Sequence, residues 1–271
     1  MVNLDGHTLS GSPALNITGV DGTTVRNGSV LGPVTADNAT GTRFADVTFG
    51  SRFTSYDWTG TTSVTFLRST ITANRLFCGA RCELRDSTFA VEQVYAEALV
   101  VRGDRGTTNN INFIGGTTTE IIGARLGAFR VGAAERLTIR DSAMDGFELF
   151  APGRLDVQRS TFSGGPWVGV HTLGSGVVRD NRFEKMPNGG LRIDVQQPLK
   201  GRLLVERNVF ADNRADGLHV EVPIPLDIVV RDNLSENNGQ HGMWATPGTV
   251  RDGGGNISRD DALGCFSIAC G

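Results

Sequence analysis

Lysine is nearly missing from these 271 residues: of 26 basic side chains, only Lys185 and Lys200 are lysines. Basic charge rests on arginine, whose planar guanidinium suits fixed ion pairs better than a mobile ammonium does. With 29 acidic residues the net charge is −3, so no basic excess points to a nucleic-acid partner. No apolar run approaches the roughly 18–20 residues of a membrane-spanning helix, and no membrane partner is expected. Nowhere is a 3.6-residue period sustained, which argues against a helical bundle. Aromatic residues make up only 7%.

Glycine is what abounds, at 36 residues, in a composition suited to short strands joined by turns. The N-terminal "MVNLDGHTLSGSPALNITG" has no basic segment followed by an apolar core, so it does not read as a signal peptide. It enters strand-like alternation at once. The expectation is that an N-terminal portion lies outside this sequence, or that a second copy of the chain covers that end. The location follows from which holds: secreted if a signal peptide lies upstream, cytoplasmic otherwise. The four cysteines form two close pairs, Cys78/Cys82 and Cys265/Cys270. Each pair could close a small disulfide loop, and with no histidine near either, disulfides are favoured over zinc.

A repeat runs through the chain. "LTIRDS" ends at Ser142, "LDVQRS" at Ser160, "GVVRDN" at Asn181, "LLVERN" at Asn208 and "IVVRDN" at Asn233. Fainter copies precede them ("TTVRNG", "RFADVTF", "VTFLRS", "CELRDS", "NNINF"), and "TVRDG" follows. Nine residues separate Ser160, Asn181, Asn208 and Asn233 from Gly169, Gly190, Gly217 and Gly242. From each glycine to the next Asn the distance varies. One corner of each coil is therefore fixed and one is free in length, and the strands between alternate apolar and polar residues.

Stacked coils of this kind resemble the right-handed parallel β-helix, the pectate-lyase-like superfamily, over nearly the whole chain. The expectation is an all-β, single-domain right-handed parallel β-helix of about ten or eleven coils spanning 1–252. Residues 253–271 abandon the repeat and form a C-terminal cap, with Cys265 and Cys270 as its staple.

Stacking turns sequence positions into columns. Asp141, Arg159, Asp180, Arg207 and Asp232 form one; Arg140, Gln158, Arg179, Glu206 and Arg231 form its neighbour. Their mostly alternating signs predict a self-paired wall. Ser142, Ser160, Asn181, Asn208 and Asn233 predict side chains that satisfy backbone groups at a corner. The glycine-led strand is different. Its first outward column reads Glu148, His171, Arg192, His219 and Trp244, with Arg130 at the bottom; its second reads Leu173, Asp194, Glu221 and Thr246. His241 precedes the same strand one coil on, and Trp167 enters it.

Imidazole, guanidinium and carboxylate groups on one strand face, overhung by loops of unequal length, make a candidate catalytic groove. The column holds no acid between His171, Arg192 and His219, so Asp194 and Glu221 are expected to supply the counter-charge.

The resemblance implies a polysaccharide-binding face and, among other activities, lyases and epimerases of uronic acids. Carried onto this chain, Arg192 neutralises a sugar carboxylate, and His171 or His219 is base or acid. Glu148, Asp194 or Glu221 orients an imidazole or holds a cation, calcium being the one ion considered. Trp244 stacks on a sugar ring, with Arg130, His241 and Trp167 as further substrate contacts. The acid trio of polygalacturonases and the aspartate calcium nest of pectate lyases are both missing. Three readings therefore stay open: a lyase or epimerase on an acidic glycan, an intracellular cyclase or isomerase using the groove on a small molecule, and a non-catalytic glycan-binding or surface-assembly β-helix.

Overall fold

A computed structural model describes all residues except 51–54, 59, 104, 107–112, 128–129, 146–147 and 196–197. The described elements are all strands, paired in parallel, with no helix among them. About twelve coils are wound, close to the ten or eleven read from the repeat. Contacts divide the chain into two compact units, Met1–Phe129 and Arg130–Gly271.

In the first unit, parallel register lines up Val2, Val25, Phe44, Phe66, Leu84, Val101 and Ile121 on successive coils. Two residues further along, the backbone turns through the left-handed region at Asn27, Asp46, Arg68, Asp86, Gly103 and Gly123. The corners at Gly103 and Gly123 carry no recognisable copy of the repeat motif. The copy read as "NNINF" falls mostly on 109–112, outside the described residues. The core is aromatic here: Phe44, Phe49, Tyr56, Trp58 and Phe66 form a connected cluster, its stacked and edge-on neighbours 5.0–5.6 Å apart. All five are fully buried. The indole Nε1–H of Trp58 donates to the Val34 carbonyl, which satisfies the one polar atom of that ring. Burial pushes the Tyr56 hydroxyl up to about 12.

The second unit has three sheets, one per side of the coil. The first stacks Ile139, Val157, Val178, Val205 and Val230. The second stacks Met144, Phe162, Phe183, Phe210 and Ser235. The third stacks Val170, Ile193, Val220 and Ala245. Alternation puts each column inside, and the three phenylalanine rings stack face to face at 4.9 and 5.4 Å. Dispersion and burial of apolar area both favour this order.

The corner between the first and second sheets is fixed by two features. Its residues Asp141, Arg159, Asp180, Arg207 and Asp232 all take positive φ, between 46° and 56°. Arg159 grips Asp141 through both oxygens at 2.7 and 2.8 Å, and Arg207 grips Asp180 at 2.8 and 3.0 Å. Hydrogen bonds from these guanidiniums hold both carboxyls below their ordinary range. In the neighbouring column Arg231 bonds Glu206, and Arg179 bonds Gln158. Behind them, Asn181, Asn208, Asn233 and Asn256 form an inner ladder. Each Nδ2 donates to a carbonyl of the coil below, and each Oδ1 except the first accepts from the Asn of that coil.

Both wall and ladder are as the sequence suggested. A second ladder, Asn213, Asn238 and Asp261, runs five residues later on the next corner.

The tail does not abandon the repeat. Arg251–Gly254, Ile257–Arg259 and Cys265–Phe266 each add one more parallel strand, to Ile228–Arg231, Leu234–Glu236 and Met243–Ala245. What changes is burial. Asp252 follows Val230, with a bulge just beyond it, and Ser258 follows Ser235. Arg251–Gly254 is exposed throughout, so no apolar residue is called for there, which is why the pattern fades in the sequence. Asp252 accepts from the N–H groups of Gly254 and Ala269. Both cysteine pairs are disulfides, Cys78–Cys82 and Cys265–Cys270.

Candidate functional site

The third sheet of the second unit carries the candidate residues, and its register corrects one column. Arg130 pairs with Glu148, Glu148 with Gly169, Gly169 with Arg192, Arg192 with His219, and His219 with Trp244. Phe266 follows Trp244. Gly169, and not His171, is the residue level with Arg192. His171 is the extra residue of a β-bulge, between the Leu149–Val170 and Phe150–Thr172 pairs.

The corner ahead of this strand is two residues shorter than its neighbours. Eight residues separate Ser160 from Val168, whereas ten separate Asn181 from Leu191, Asn208 from Leu218 and Asn233 from Met243. A slip of two keeps every side chain on its own face, so alternation alone cannot reveal it.

The bulge does not remove His171 from the groove. A Cβ on Gly169 would lie 2.8 Å from His171 Nε2 and 3.0 Å from Trp167 Nε1. Both rings therefore fold over the space that the missing side chain leaves, one coil below Arg192. His171 stacks on Phe150 at 5.5 Å, and its Nε2 lies 3.8 Å from Glu148, whose other oxygen is held by Arg130 at 2.6 Å. Backbone pairing sets Leu173 opposite Ala151; its side chain is not among those described.

The acid missing from the column is Asp216, which the sequence reading passed over. Its side chain is 10% exposed. Its Oδ2 lies 2.6 Å from Nδ1 of His219, and its Oδ1 lies 3.2 Å from Nδ1 of His241. The same Oδ1 accepts the His241 N–H at 2.8 Å. Burial alone would push this carboxyl up, but hydrogen bonds from His219 and from the His241 backbone outweigh it, and its pKa falls below the usual value. Since Asp216 is a carboxylate, each Nδ1 must carry the proton it shares, and Nε2 of a neutral His219 is then a proton acceptor. The signal was present in the sequence: an acid three residues before a histidine, across the glycine that opens the strand.

Glu221 takes the role expected of it. It accepts from Arg192 at 2.7 Å and lies 3.7 Å from Nε2 of His219. Asp194 is 3.9 Å from the same guanidinium. The Trp244 ring stacks on His219 at 4.4 Å and 13° on one side and faces Phe266 at 6.1 Å and 12° on the other. Both faces of the indole therefore meet neighbouring rings, and it walls the His219 imidazole. Glu148 and Glu221 are each paired with an arginine, and among the described residues no group of three or more His, Cys, Asp or Glu side chains is placed to hold a metal ion.

Stacked parallel coils with one polar, ring-bearing outward strand define a β-solenoid of the parallel β-helix class. The family model described as "right handed beta helix region" matches residues 97–250, more than half of the chain, and the chain belongs to that family. No curated protein and no solved structure matches it.

Proposed function

We propose that the Arg192–His219 face is the active site of a carbohydrate-active enzyme, a lyase or epimerase acting on an acidic, uronate-containing glycan. The observation that carries this reading is the Asp216–His219 pair. A buried carboxylate fixes the imidazole through Nδ1 and leaves Nε2 toward the groove, one coil above a guanidinium.

A uronate carboxylate would compete with Glu221 for Arg192, since that ion pair is exposed and individually weak. Arg192 would withdraw charge from the carboxylate and make the adjacent C–H more acidic. His219 Nε2 would then take that proton, and Asp216 would stabilise the imidazolium that results. His171, folded over Gly169 on the other side of Arg192, is placed to exchange a second proton.

The test is a turnover screen on pectate, alginate and glycosaminoglycans, with calcium and with chelator. Ultraviolet absorbance reports an unsaturated product, and exchange with deuterated solvent reports epimerisation. Activity that disappears in His219→Ala and Arg192→Ala supports the reading. Silence of the folded protein across the panel overturns it, in favour of a small-molecule or purely binding role.

A further inference from the structure

A second feature lies on the corner just before this strand. Lys185, Met186, Pro187, Asp212 and Arg214 line a cleft of about 340 Å³, within the usual range for small-ligand sites. Its cations differ from those of the charged wall. At the corner between the first and second sheets, Arg159 and Arg207 are each locked to an aspartate of the coil below. Among the described residues, neither Lys185 nor Arg214 has an ion-pair or hydrogen-bond partner for its charged group.

Backbone conformation makes Lys185 the odd member of its own column. Lys185, Asp212, Asn237 and Asp260 occupy equivalent positions on successive coils, and all take φ of 54–56°. Asp and Asn tolerate this left-handed region; lysine is a poor choice for it. One coil below, the same position is Gly164, also at positive φ. Lys185 is thus the one member of these five that is neither Gly, Asp nor Asn, and it lines a cleft.

The walls are rigid. Asn213 receives the Met186 N–H at 3.1 Å, and Arg214 N–H donates to the Met186 carbonyl at 3.0 Å. Asn213 Nδ2 also bonds the Phe183 carbonyl and Asn238. Met186 is buried beneath the cleft, and the exposed Pro187 adds apolar surface beside the charges, suited to the C–H face of a sugar. Arg214 is only two residues from Asp216, at most about 7 Å along the chain.

We propose that this cleft is an anion subsite, which takes the carboxylate or sulfate of a sugar neighbouring the one at His219. Lys185 and Arg214 bind the anion, and Asp212 accepts from a sugar hydroxyl. The choice of a sugar rests on the carbohydrate reading above; the charge of the ligand rests on the cleft alone.

Binding tests it without requiring turnover. Polygalacturonate, alginate, hyaluronan and heparin, with neutral dextran as control, are titrated calorimetrically against wild type, Lys185→Asn/Arg214→Gln and Lys200→Asn. Asparagine suits the left-handed corner, so the double variant is expected to fold as well as the parent, which its melting temperature checks. The expected result is binding of at least one polyanion with Kd raised ten-fold or more in the double variant, little changed in Lys200→Asn, which removes an exposed lysine outside the cleft, and no binding of dextran. Polyanion affinity unchanged in the folded double variant overturns the proposal, and so does a folded wild type that binds none of the four. Binding lost in the double variant, from a protein that turns over nothing, supports the subsite while overturning the enzymatic reading.

Discussion

Asp216 accepts a 2.6 Å hydrogen bond from Nδ1 of His219, three residues further along the chain and across a glycine. The same carboxylate takes His241 from the next coil. One buried acid therefore sets the orientation of two of the four histidines.

Asp216→Asn should lower kcat on the substrate found by the screen by about 10²–10⁴-fold, with KM little changed, because an amide can hold the imidazole in the wrong tautomer. The sign of its effect on stability follows from its depressed pKa. Stabilisation by Asp216 is fully present above the unfolded carboxylate value of about 4 and is lost as pH falls through the lower folded value. Urea unfolding of wild type and variant should differ most at neutral pH and converge in acid. A difference independent of pH would refute the assignment.

Trp244→Ala should act through His219 and not through sugar binding, since both faces of the indole are covered. The expected outcome is a fall in kcat of about ten-fold from imidazole misplacement, with KM within about two-fold of wild type. Steady-state kinetics separates the two, and a rise confined to KM would restore Trp244 as a sugar platform.

Asn208→Ala should destabilise the second unit by about 2–4 kcal/mol. It leaves the Asn181 N–H and the Val178 carbonyl buried without their partner. Asn208→Ser should cost less, because Ser142 and Ser160 fill the same column and Ser160 receives the Ser142 N–H through its hydroxyl. Equal losses in chemical denaturation would contradict the ladder.

Gly217→Ala should also destabilise, by about 1–3 kcal/mol, since the new Cβ would lie 2.6 Å from the Gly242 carbonyl oxygen and 2.8 Å from Phe210 Cβ. Gly169→Ala meets only the ends of the His171 and Trp167 side chains. It should leave stability nearly unchanged while displacing both rings, as intrinsic fluorescence of Trp167 would report.

The fold was legible because stacking repeats itself. Each coil must add an apolar residue to each column, and the Asn208 and Asp180 columns recur with their motif intact. Gly103 and Gly123 were missed because a glycine at a left-handed corner needs no neighbouring motif. The last coil was missed because its strands Arg251–Gly254 and Ile257–Arg259 are largely exposed and carry no apolar alternation. At the site, alternation gave the correct outward face but could not detect the two-residue slip that sets Gly169 beside Arg192. Asp216 escaped notice because it stands on a corner, where side-chain direction does not follow a period of two. Trp244 was placed correctly, but its two ring neighbours could not be foreseen, because which face of a ring is covered depends on the coils on either side of it.

The parallel register of the third sheet has a consequence for how this surface can change. Adjacent rungs are about 4.8 Å apart, so the height of Arg192, His219 or Trp244 is set by counting whole coils. The connections after Ile193 and Val220 vary in length without altering that count. Insertions there reshape the rim and leave every outward side chain of the strand at its address. An added or deleted coil would shift the upper half of the groove by one full step, nearly the length of a sugar. Variation in such a protein is continuous around the axis and quantised along it.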